Sequence, residues 1–282
     1  MPVTERFALA ASVVAGLALA DGGASGAVIG LDDYEPPTYV AGTQIEDSDG
    51  VAINGGVGFT GQDIVDAQRT AVTVGSDGLS LLQSLRIGGA ANNNDLITRT
   101  FATQSGSPLY FSYLFRTTTG SGATTDDDFI QVGLSDAAGE PKNSIGFGAT
   151  TATLFLRVGA GNTNQQQTAA FPAAGVTYRM VGKLSMVDGS STYNQMDFFL
   201  NPVGLIEPTP TMTRTATAGT GASSVDRLTV RTARLDASDI YTLDDIRVAT
   251  SFAEVVPEPA GAALFGTAVL GLLAARRRRL TR

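Results

Sequence analysis

The chain has 282 residues, of which 43% are hydrophobic, and carries a formal net charge of -8. It contains no Cys and no His, which excludes disulfides, cysteine zinc sites and the Ser-His-Asp and Cys-His relays of nucleophilic hydrolases. Any catalysis would have to use carboxylates, Tyr, Lys or a hard metal ion. The 33 Gly, together with many Thr, Ser and Val, favour short strands and tight turns over long helices.

The acidity is concentrated in the middle of the chain. Residues 28–258 carry 13 Lys and Arg against 25 Asp and Glu, a net charge of -12, because several basic residues lie near the ends. A surface of this charge repels phosphate backbones and anionic lipid headgroups. Nucleic acid is therefore not an expected partner.

The N-terminus has the features of a secretory signal. Arg6 precedes an uncharged apolar stretch, Phe7–Ala20, and the small residues Ser25 and Ala27 fit the small-x-small rule of signal peptidase. The sequence predicts a signal peptide that is cut after Ala27, with a cut after residue 20 as the alternative. A buried N-terminal helix is the other interpretation, which the Ala- and Gly-rich composition disfavours.

The middle of the chain shows many short runs of strand character and no long stretch of helical period. In Leu109–Arg116, alternation places Leu109, Phe111, Tyr113 and Phe115 on one face. Further strands are predicted at Phe129–Leu134, Ser144–Ala149, Thr153–Gly159, Thr177–Val187, Met196–Pro202, Val225–Thr232 and Leu243–Thr250. Strands at this frequency without intervening helices favour an antiparallel sandwich. A helical turn is predicted only for the polar segment at residues 61–69.

Two regions resemble the concanavalin A-like, laminin-G-type jelly rolls of secreted bacterial proteins. Residues 228–234 with Tyr241–Val255 are similar to the closing strands of that family, and Tyr178–Pro202 is similar to its central hairpin. The resemblance implies that the last strand returns to pair beside the first, here Val28–Glu35. The expected fold class is an all-β antiparallel β-sandwich of the concanavalin A-like jelly-roll type. An N-terminal signal helix and a C-terminal membrane-spanning helix are expected to flank it.

Three polar segments are candidate ligand sites. Asp126, Asp127 and Asp128 stand in a row before a strand, and two of these carboxylates could share a calcium ion. A solvated charged turn is the commoner outcome for such a run. Glu46–Gly50 begins like a calcium loop but lacks the later ligand positions of an EF-hand. Ala91–Asp95 could hydrogen-bond a sugar, although Asn runs also suit loops. Apart from calcium, no cofactor is expected.

Glycoside hydrolysis is disfavoured by the spacing of the acidic residues. Retaining glucanases of the jelly-roll type carry Glu-x-Asp-x-x-Glu on one strand, which sets two carboxylates about 5 Å apart. That pattern is absent from the sequence, so the chain is predicted not to be an enzyme. Sugar binding stays open, although there is no Trp to stack on a ring. The candidate stacking residues are Tyr34, Tyr39, Tyr193 and Tyr241, and burial within the sheets is their alternative role.

The C-terminus combines an extended motif, an apolar segment and a basic cluster. The motif is VPEP, formed by Val256, Pro257, Glu258 and Pro259. The 16 uncharged residues 260–275 follow, and as a helix they would measure about 24 Å at ~1.5 Å per residue. This is a marginal span for a hydrocarbon core of ~30 Å. By the positive-inside rule, the basic cluster keeps the end of the chain cytoplasmic and the middle outside. The cluster consists of Arg276, Arg277, Arg278 and Arg279.

An ordinary C-terminal core helix is the alternative for this segment. A helix with one buried face would show polar residues every three or four positions, whereas residues 260–275 contain only Thr267.

The order of motif, apolar span and Arg cluster resembles the PEP-CTERM sorting signal of Gram-negative and related bacteria. This resemblance implies recognition by exosortase, a membrane enzyme thought to act as a cysteine transpeptidase, and delivery to the cell surface or extracellular polymer. The expected organisation is a signal peptide (1–27), a β-sandwich domain (28–252), a linker with the sorting motif (253–259), a transmembrane helix (260–275) and a basic cytoplasmic tail (276–282).

The sequence supports three functions in decreasing order. The first is an exported, exosortase-sorted surface or matrix protein whose non-enzymatic domain binds an extracellular polysaccharide. The second is a purely structural matrix protein, and the third is a carboxylate-dependent glycoside hydrolase. Signal peptidase and exosortase are the expected partners during processing, and the C-terminal helix is expected to lie in the membrane until processing is complete.

Overall fold

The structure is a computed structural model that describes residues 26–45, 55–64, 72–76, 78–79, 82–88, 96–106, 108–117, 129–136, 142–148, 153–159, 165–170, 173–235 and 239–256. The predicted signal helix, the predicted C-terminal span and the basic cluster lie outside these residues. Within the part of the chain that is described, no helix has the length and apolarity needed to cross a bilayer.

Strands dominate the described residues. They are β1 (Val28–Asp32), β2 (Phe59–Ile64), β3 (Val72–Gly75), β4 (Ser84–Gly88), β5 (Leu96–Gln104), β6 (Leu109–Thr117), β7 (Phe129–Ser135), β8 (Asn143–Gly148), β9 (Thr153–Val158), β10 (Gln165–Ala170), β11 (Tyr178–Ser185), β12 (Gln195–Leu200), β13 (Met212–Thr215), β14 (Val225–Ala233) and β15 (Ile240–Ala249). One short helix, α1 (Phe252–Val255), follows the last strand.

These strands form two antiparallel sheets. Sheet I has the order β13, β12, β11, β6, β15, β4, β3, and β1 also pairs with β15. Sheet II has the order β10, β9, β8, β7, β14, β5, β2. The predicted all-β antiparallel sandwich is thereby confirmed. The last strand pairs beside the first, with Val28 opposite Ala249 and Asp32 opposite Ile246, and β11 and β12 form the expected hairpin.

The core lies between the two sheets and follows the alternation of the strands. On β6, Leu109, Phe111, Tyr113 and Phe115 are each at most 2% exposed and belong to one continuous apolar cluster, which confirms the predicted face. Because side chains alternate across a strand, the residues between these core positions lie on the outer face of each sheet.

The helical turn predicted at residues 61–69 is wrong for the described part of that segment. Strand β2 pairs with β5, with Gly61 opposite Thr100 and Ile64 opposite Ile97. This ladder satisfies backbone groups that an isolated helical turn would leave unpaired. The pairing depends on β5, which is distant in sequence, so the local composition did not indicate it.

The folded domain continues beyond residue 252, where the sequence placed its end. Helix α1 and Val256 pack on the outer face of sheet I, and the side chains of Phe252, Val255 and Val256 are buried there. The Ser112 hydroxyl donates a hydrogen bond to the Val255 carbonyl oxygen at 2.6 Å. Residues 253–256 of the expected linker are therefore part of the domain.

Candidate functional site

Most of the predicted site residues lie outside the described part of the chain. This holds for the proposed calcium ligands Asp126, Asp127 and Asp128, for both other polar segments, 46–50 and 91–95, and for the sorting residues after Val256. Among the residues that are described, no group of three or more metal-ligating acidic side chains comes together. The calcium site stays a prediction.

The four tyrosines considered for sugar stacking are not exposed. Tyr34, Tyr39, Tyr193 and Tyr241 are each at most 1% exposed, so none offers a ring face to a ligand. Burial in the sheets, the alternative role, is what the structure shows. The Tyr193 hydroxyl, for example, donates to the carbonyl oxygen of Gly106 at 2.5 Å.

A buried ion pair connects the two sheets. Asp32 at the end of β1 and Arg99 on β5 are each 1% exposed, and Arg99 Nη2 lies 2.5 Å from Asp32 Oδ2. Tyr39 donates its hydroxyl proton to the same carboxylate oxygen at 2.7 Å. Arg99 Nη2 also donates to the Gly55 carbonyl at 2.6 Å. Burial raises the pKa of the Asp32 carboxyl, and the Arg99 guanidinium offsets part of that rise.

The outer face of sheet II carries two aromatic rings and two arginines. Phe129, Phe155, Arg157 and Arg231 are called the aromatic-arginine patch. The guanidinium of Arg157 lies 5.4 Å from the Phe155 ring centre, and that of Arg231 lies 5.3 Å from the Phe129 ring centre. The two rings meet edge to face at 6.5 Å. These contacts combine dispersion with cation-π attraction.

One cross-strand row runs through the middle of this patch. Phe155 lies opposite Gly146, Gly146 opposite Gln131, and Gln131 opposite Arg231. The Phe155 ring lies directly over Gly146, at a place that a Cβ atom would occupy. The row therefore places a buried aromatic ring, a buried amide and a partly exposed guanidinium side by side across four neighbouring strands, β9, β8, β7 and β14.

The amide at the centre of this row is not satisfied. Gln131 is 1% exposed, and its Nε2 has no hydrogen-bond partner among the described residues. Its Oε1 accepts a long hydrogen bond of 3.4 Å from the Ser144 hydroxyl. A buried donor without a partner costs about 1–3 kcal/mol, so a ligand oxygen that bound it would remove that penalty.

None of the four residues of this patch was predicted from the sequence as a site residue. Phe155 and Arg157 alternate with the apolar residues Leu154, Leu156 and Val158 on β9, and these apolar residues belong to the core. That alternation could have placed Phe155 and Arg157 on the outer face. The pairing of β7 with β14, which brings Arg231 opposite Gln131, could not be predicted from the local sequence.

The outer face of sheet I carries a second polar cluster. The Glu207 carboxylate accepts hydrogen bonds from the Tyr110 hydroxyl at 2.6 Å and from Lys183 Nζ at 2.7 Å. Burial and this hydrogen bond raise the pKa of Tyr110 well above its usual range. The Tyr110 ring also contacts Phe252 of α1, with 6.2 Å between ring centres. This cluster thus ties the β12–β13 loop to the end of the domain.

No family model and no curated protein matches the chain. Among solved structures, it is similar to carbohydrate binding module CBM66 from Bacillus subtilis at 10% identity, covering 67% of this chain and 96% of that chain, with a TM-score of 0.40. It is similar to lectin UEA-II complexed with galactose at 8% identity, covering 67% and 92%, with a TM-score of 0.43.

The chain is also similar to the botulinum neurotoxin serotype G binding domain at 8% identity, covering 79% of this chain, with a TM-score of 0.48. It spans 47% of that domain's length. Likenesses at these identities and TM-scores assign no function to the chain.

Proposed function

We propose that the chain is an exported, non-enzymatic surface or matrix protein whose concanavalin A-like jelly roll binds an extracellular polysaccharide over the aromatic-arginine patch. The observation that carries this proposal is the row across sheet II, in which Phe155, Gln131 and Arg231 stand on neighbouring or next-neighbouring strands. Gln131 and Arg231 supply two kinds of hydrogen-bond donor, and the partly exposed Phe129 ring beside Arg231 supplies an apolar face, which is the combination that a sugar ring with its rim of hydroxyls requires. The Phe155 ring is 4% exposed and supports the patch from beneath.

Binding at Gln131 requires a side chain to move. Because Gln131 is 1% exposed, a sugar oxygen reaches its amide only when a neighbour turns aside. Arg231 is its cross-strand neighbour and is only partly buried. Its long side chain can change rotamer without disturbing the core. The guanidinium would then donate to the sugar from beside the uncovered Gln131 amide.

Three of the buried carboxylates are engaged within the fold, which supports a binding role over a hydrolytic one. Asp32 is paired with Arg99. Asp245 is held by Arg179 at 2.6 Å and by Arg247 at 2.8 Å. The carboxylate of Asp197 accepts a hydrogen bond from the Thr213 hydroxyl at 2.7 Å. A retaining or inverting glycosidase needs two carboxyl groups that face one substrate, whereas these groups serve the fold.

The first described residues of the domain are hydrogen-bonded to residues near its C-terminal end, and this bears on where the chain would be cut during export. The Ala27 amide donates to the Thr250 hydroxyl at 2.9 Å, and the Thr250 amide donates to the Ala27 carbonyl at 3.1 Å. A signal cut after Ala27 would remove these bonds, which supports the alternative cut after Ala20. At the other end, the fold continues through Val256, so Pro257–Pro259 would follow it at once and be available to exosortase.

The C-terminal end of the described domain and the aromatic-arginine patch lie on opposite faces of the sandwich. The C-terminal helix α1 packs on the outer face of sheet I, whereas the aromatic-arginine patch lies on the outer face of sheet II. Because these are opposite faces of a sandwich, a chain held by its C-terminus presents the patch away from its attachment.

A glycan and polysaccharide array tests the binding site. We expect the full chain, purified in detergent, to bind one class of polysaccharide. Arg231→Gln is expected to weaken that binding about tenfold or more, since hydrogen bonds to charged groups contribute about 1.5–3 kcal/mol. Gln131→Met is expected to weaken it several-fold. Arg247→Gln, on the outer face of sheet I, is the matched control and should leave binding unchanged.

The array separates the proposal from its alternatives. Binding that survives both patch variants would place the site elsewhere on the domain. Silence across many polymers would favour the structural matrix protein. A repeat in the presence of a calcium chelator tests the predicted calcium site at Asp126–Asp128.

A further inference from the structure

The loop between β12 and β13 exposes three large apolar side chains within four positions. Val203 is 86% exposed, Leu205 is 41% exposed and Ile206 is 87% exposed; these three residues are called the apolar loop. Single exposed apolar residues are ordinary on a protein surface, but a group of them indicates contact with a partner or a membrane.

The apolar loop is held against sheet I at its base and in its middle. The Asn201 amide donates to the Arg179 carbonyl at 2.8 Å, and the Thr211 amide donates to the Phe198 carbonyl at 2.7 Å. Between these points, Glu207 accepts hydrogen bonds from Tyr110 and Lys183. The loop is therefore fixed to the domain, while its apolar side chains stay exposed to solvent.

The same part of sheet I carries the last described element of the chain. The Phe252 ring of α1 lies 6.2 Å from the Tyr110 ring and 5.3 Å from the Phe199 ring. Phe199 is on β12, directly before the loop, and Tyr110 binds Glu207 within it. The apolar loop and α1 are thus neighbours on one face.

The distance to the predicted membrane segment is short. Four Cα steps join Val256 to Ala260, where the uncharged apolar segment begins, and a fully extended chain covers at most about 14 Å in four residues. If the segment 260–275 inserts into a bilayer, the surface of that bilayer must lie within this reach of Val256 and hence beside α1.

We propose that the apolar loop lies in the interfacial layer of the bilayer that holds residues 260–275, so that the outer face of sheet I stands on the membrane. This inference rests on the proposed membrane anchor and applies to the chain before its C-terminus is processed. Apolar side chains in interfacial segments insert about 5–10 Å. Glu207 is the single charged residue of the segment 201–211 and is paired with Lys183, so it adds little resistance to contact with lipid.

A depth measurement tests this contact. The chain has no Cys, so Ile206→Cys gives one labelling position for an environment-sensitive fluorophore. The labelled full chain is reconstituted into phosphatidylcholine vesicles with and without doxyl-labelled lipid. Leu82→Cys is the matched control, because Leu82 is 69% exposed and lies between β3 and β4, at the opposite edge of sheet I. Both positions are exposed, so labelling should leave the fold intact.

We expect the fluorophore at position 206 to be quenched several-fold more strongly than the fluorophore at position 82, and its emission to shift to the blue on reconstitution. If the chain floats with the vesicles and both positions are quenched equally, the loop proposal is overturned while the anchor stands. If the chain does not float with the vesicles, the anchor itself fails, and the loop proposal fails with it.

Discussion

Replacing Arg99 with methionine is expected to lower the free energy of unfolding by about 3–5 kcal/mol, because it leaves a buried carboxylate without its cation. Asp32 and Arg99 are each 1% exposed, and water cannot replace the lost guanidinium. The substitution also removes the hydrogen bond to the Gly55 carbonyl. Chemical denaturation followed by circular dichroism at constant pH measures this loss.

The loss should depend on pH in a defined direction. Burial already raises the pKa of Asp32 above its ordinary value of 3.8, and without Arg99 that pKa rises further. In such a variant the unfolded chain ionises at lower pH than the folded chain, so the free energy of unfolding falls as pH rises from about 4. We expect the deficit of Arg99→Met to be smaller near pH 4 than near pH 7.

Two comparisons control this prediction. Adding Asp32→Asn to Arg99→Met removes the buried charge and should recover part of the stability. Lys142→Met removes a surface partner of Asp136; the side chain of Lys142 is 29% exposed and that of Asp136 is 30% exposed. This change should alter the free energy of unfolding by at most about 1 kcal/mol. A loss in Arg99→Met no larger than that in Lys142→Met would contradict the role assigned to the ion pair.

Replacing Phe111 with alanine is expected to destabilise the domain by about 3–5 kcal/mol, the usual cost of truncating a buried Phe. Phe111 is fully buried in the middle of β6, where it lies opposite Gly182 on β11 and Val248 on β15. Its ring occupies the space that a Cβ atom of Gly182 would take. The unfolding midpoint in denaturant should fall, with little change in slope.

The close approach of Gly182 to this ring gives a second, diagnostic variant. Gly182→Ala alone should destabilise the domain, because its methyl group meets the Phe111 ring. In the Phe111→Ala background the same methyl group enters the vacated space, so the loss should be smaller or reversed. Additive losses would contradict this arrangement of the core.

The strands could be predicted wherever the alternation of residues was strong. In Leu109–Arg116 the alternation predicted a strand with one buried face, and β6 is found there with its end one residue later, at Thr117. Strand β5 was missed, since its inward positions include Arg99 between Ile97 and Phe101, and an inward arginine breaks the apolar pattern. Arg99 can lie in the core because Asp32, on a distant strand, neutralises its charge. Such a pairing is set by the tertiary structure and does not appear in the local sequence pattern.

The candidate binding surface shows the same limit. Phe129 and Gln131, like Phe155, lie within strands that the sequence predicted, and their outward orientation follows from alternation. Their meeting with Arg231 requires that β14 pair with β7, although many residues separate them in the chain. Local pattern therefore indicates which residues face outward, while sheet order decides which of them form a site.

In the proposed function, the outer face of sheet I serves attachment and the outer face of sheet II serves binding. Sheet I carries α1, the apolar loop and the exit of the chain toward the predicted membrane segment. Sheet II carries the aromatic-arginine patch. A domain that is attached by one face and binds by the other needs no catalytic centre to act as a surface or matrix component.

Export and processing at both ends of the chain are the central proposals for this protein. The measurement is the intact mass and cellular location of the protein from its native host, with and without exosortase. We predict a mature species at the surface or in the matrix that lacks the leader through Ala20 and the arginine tail, and whose formation requires the enzyme. A protein that keeps Arg276–Arg279 and stays in the inner membrane whether or not exosortase is present would contradict it.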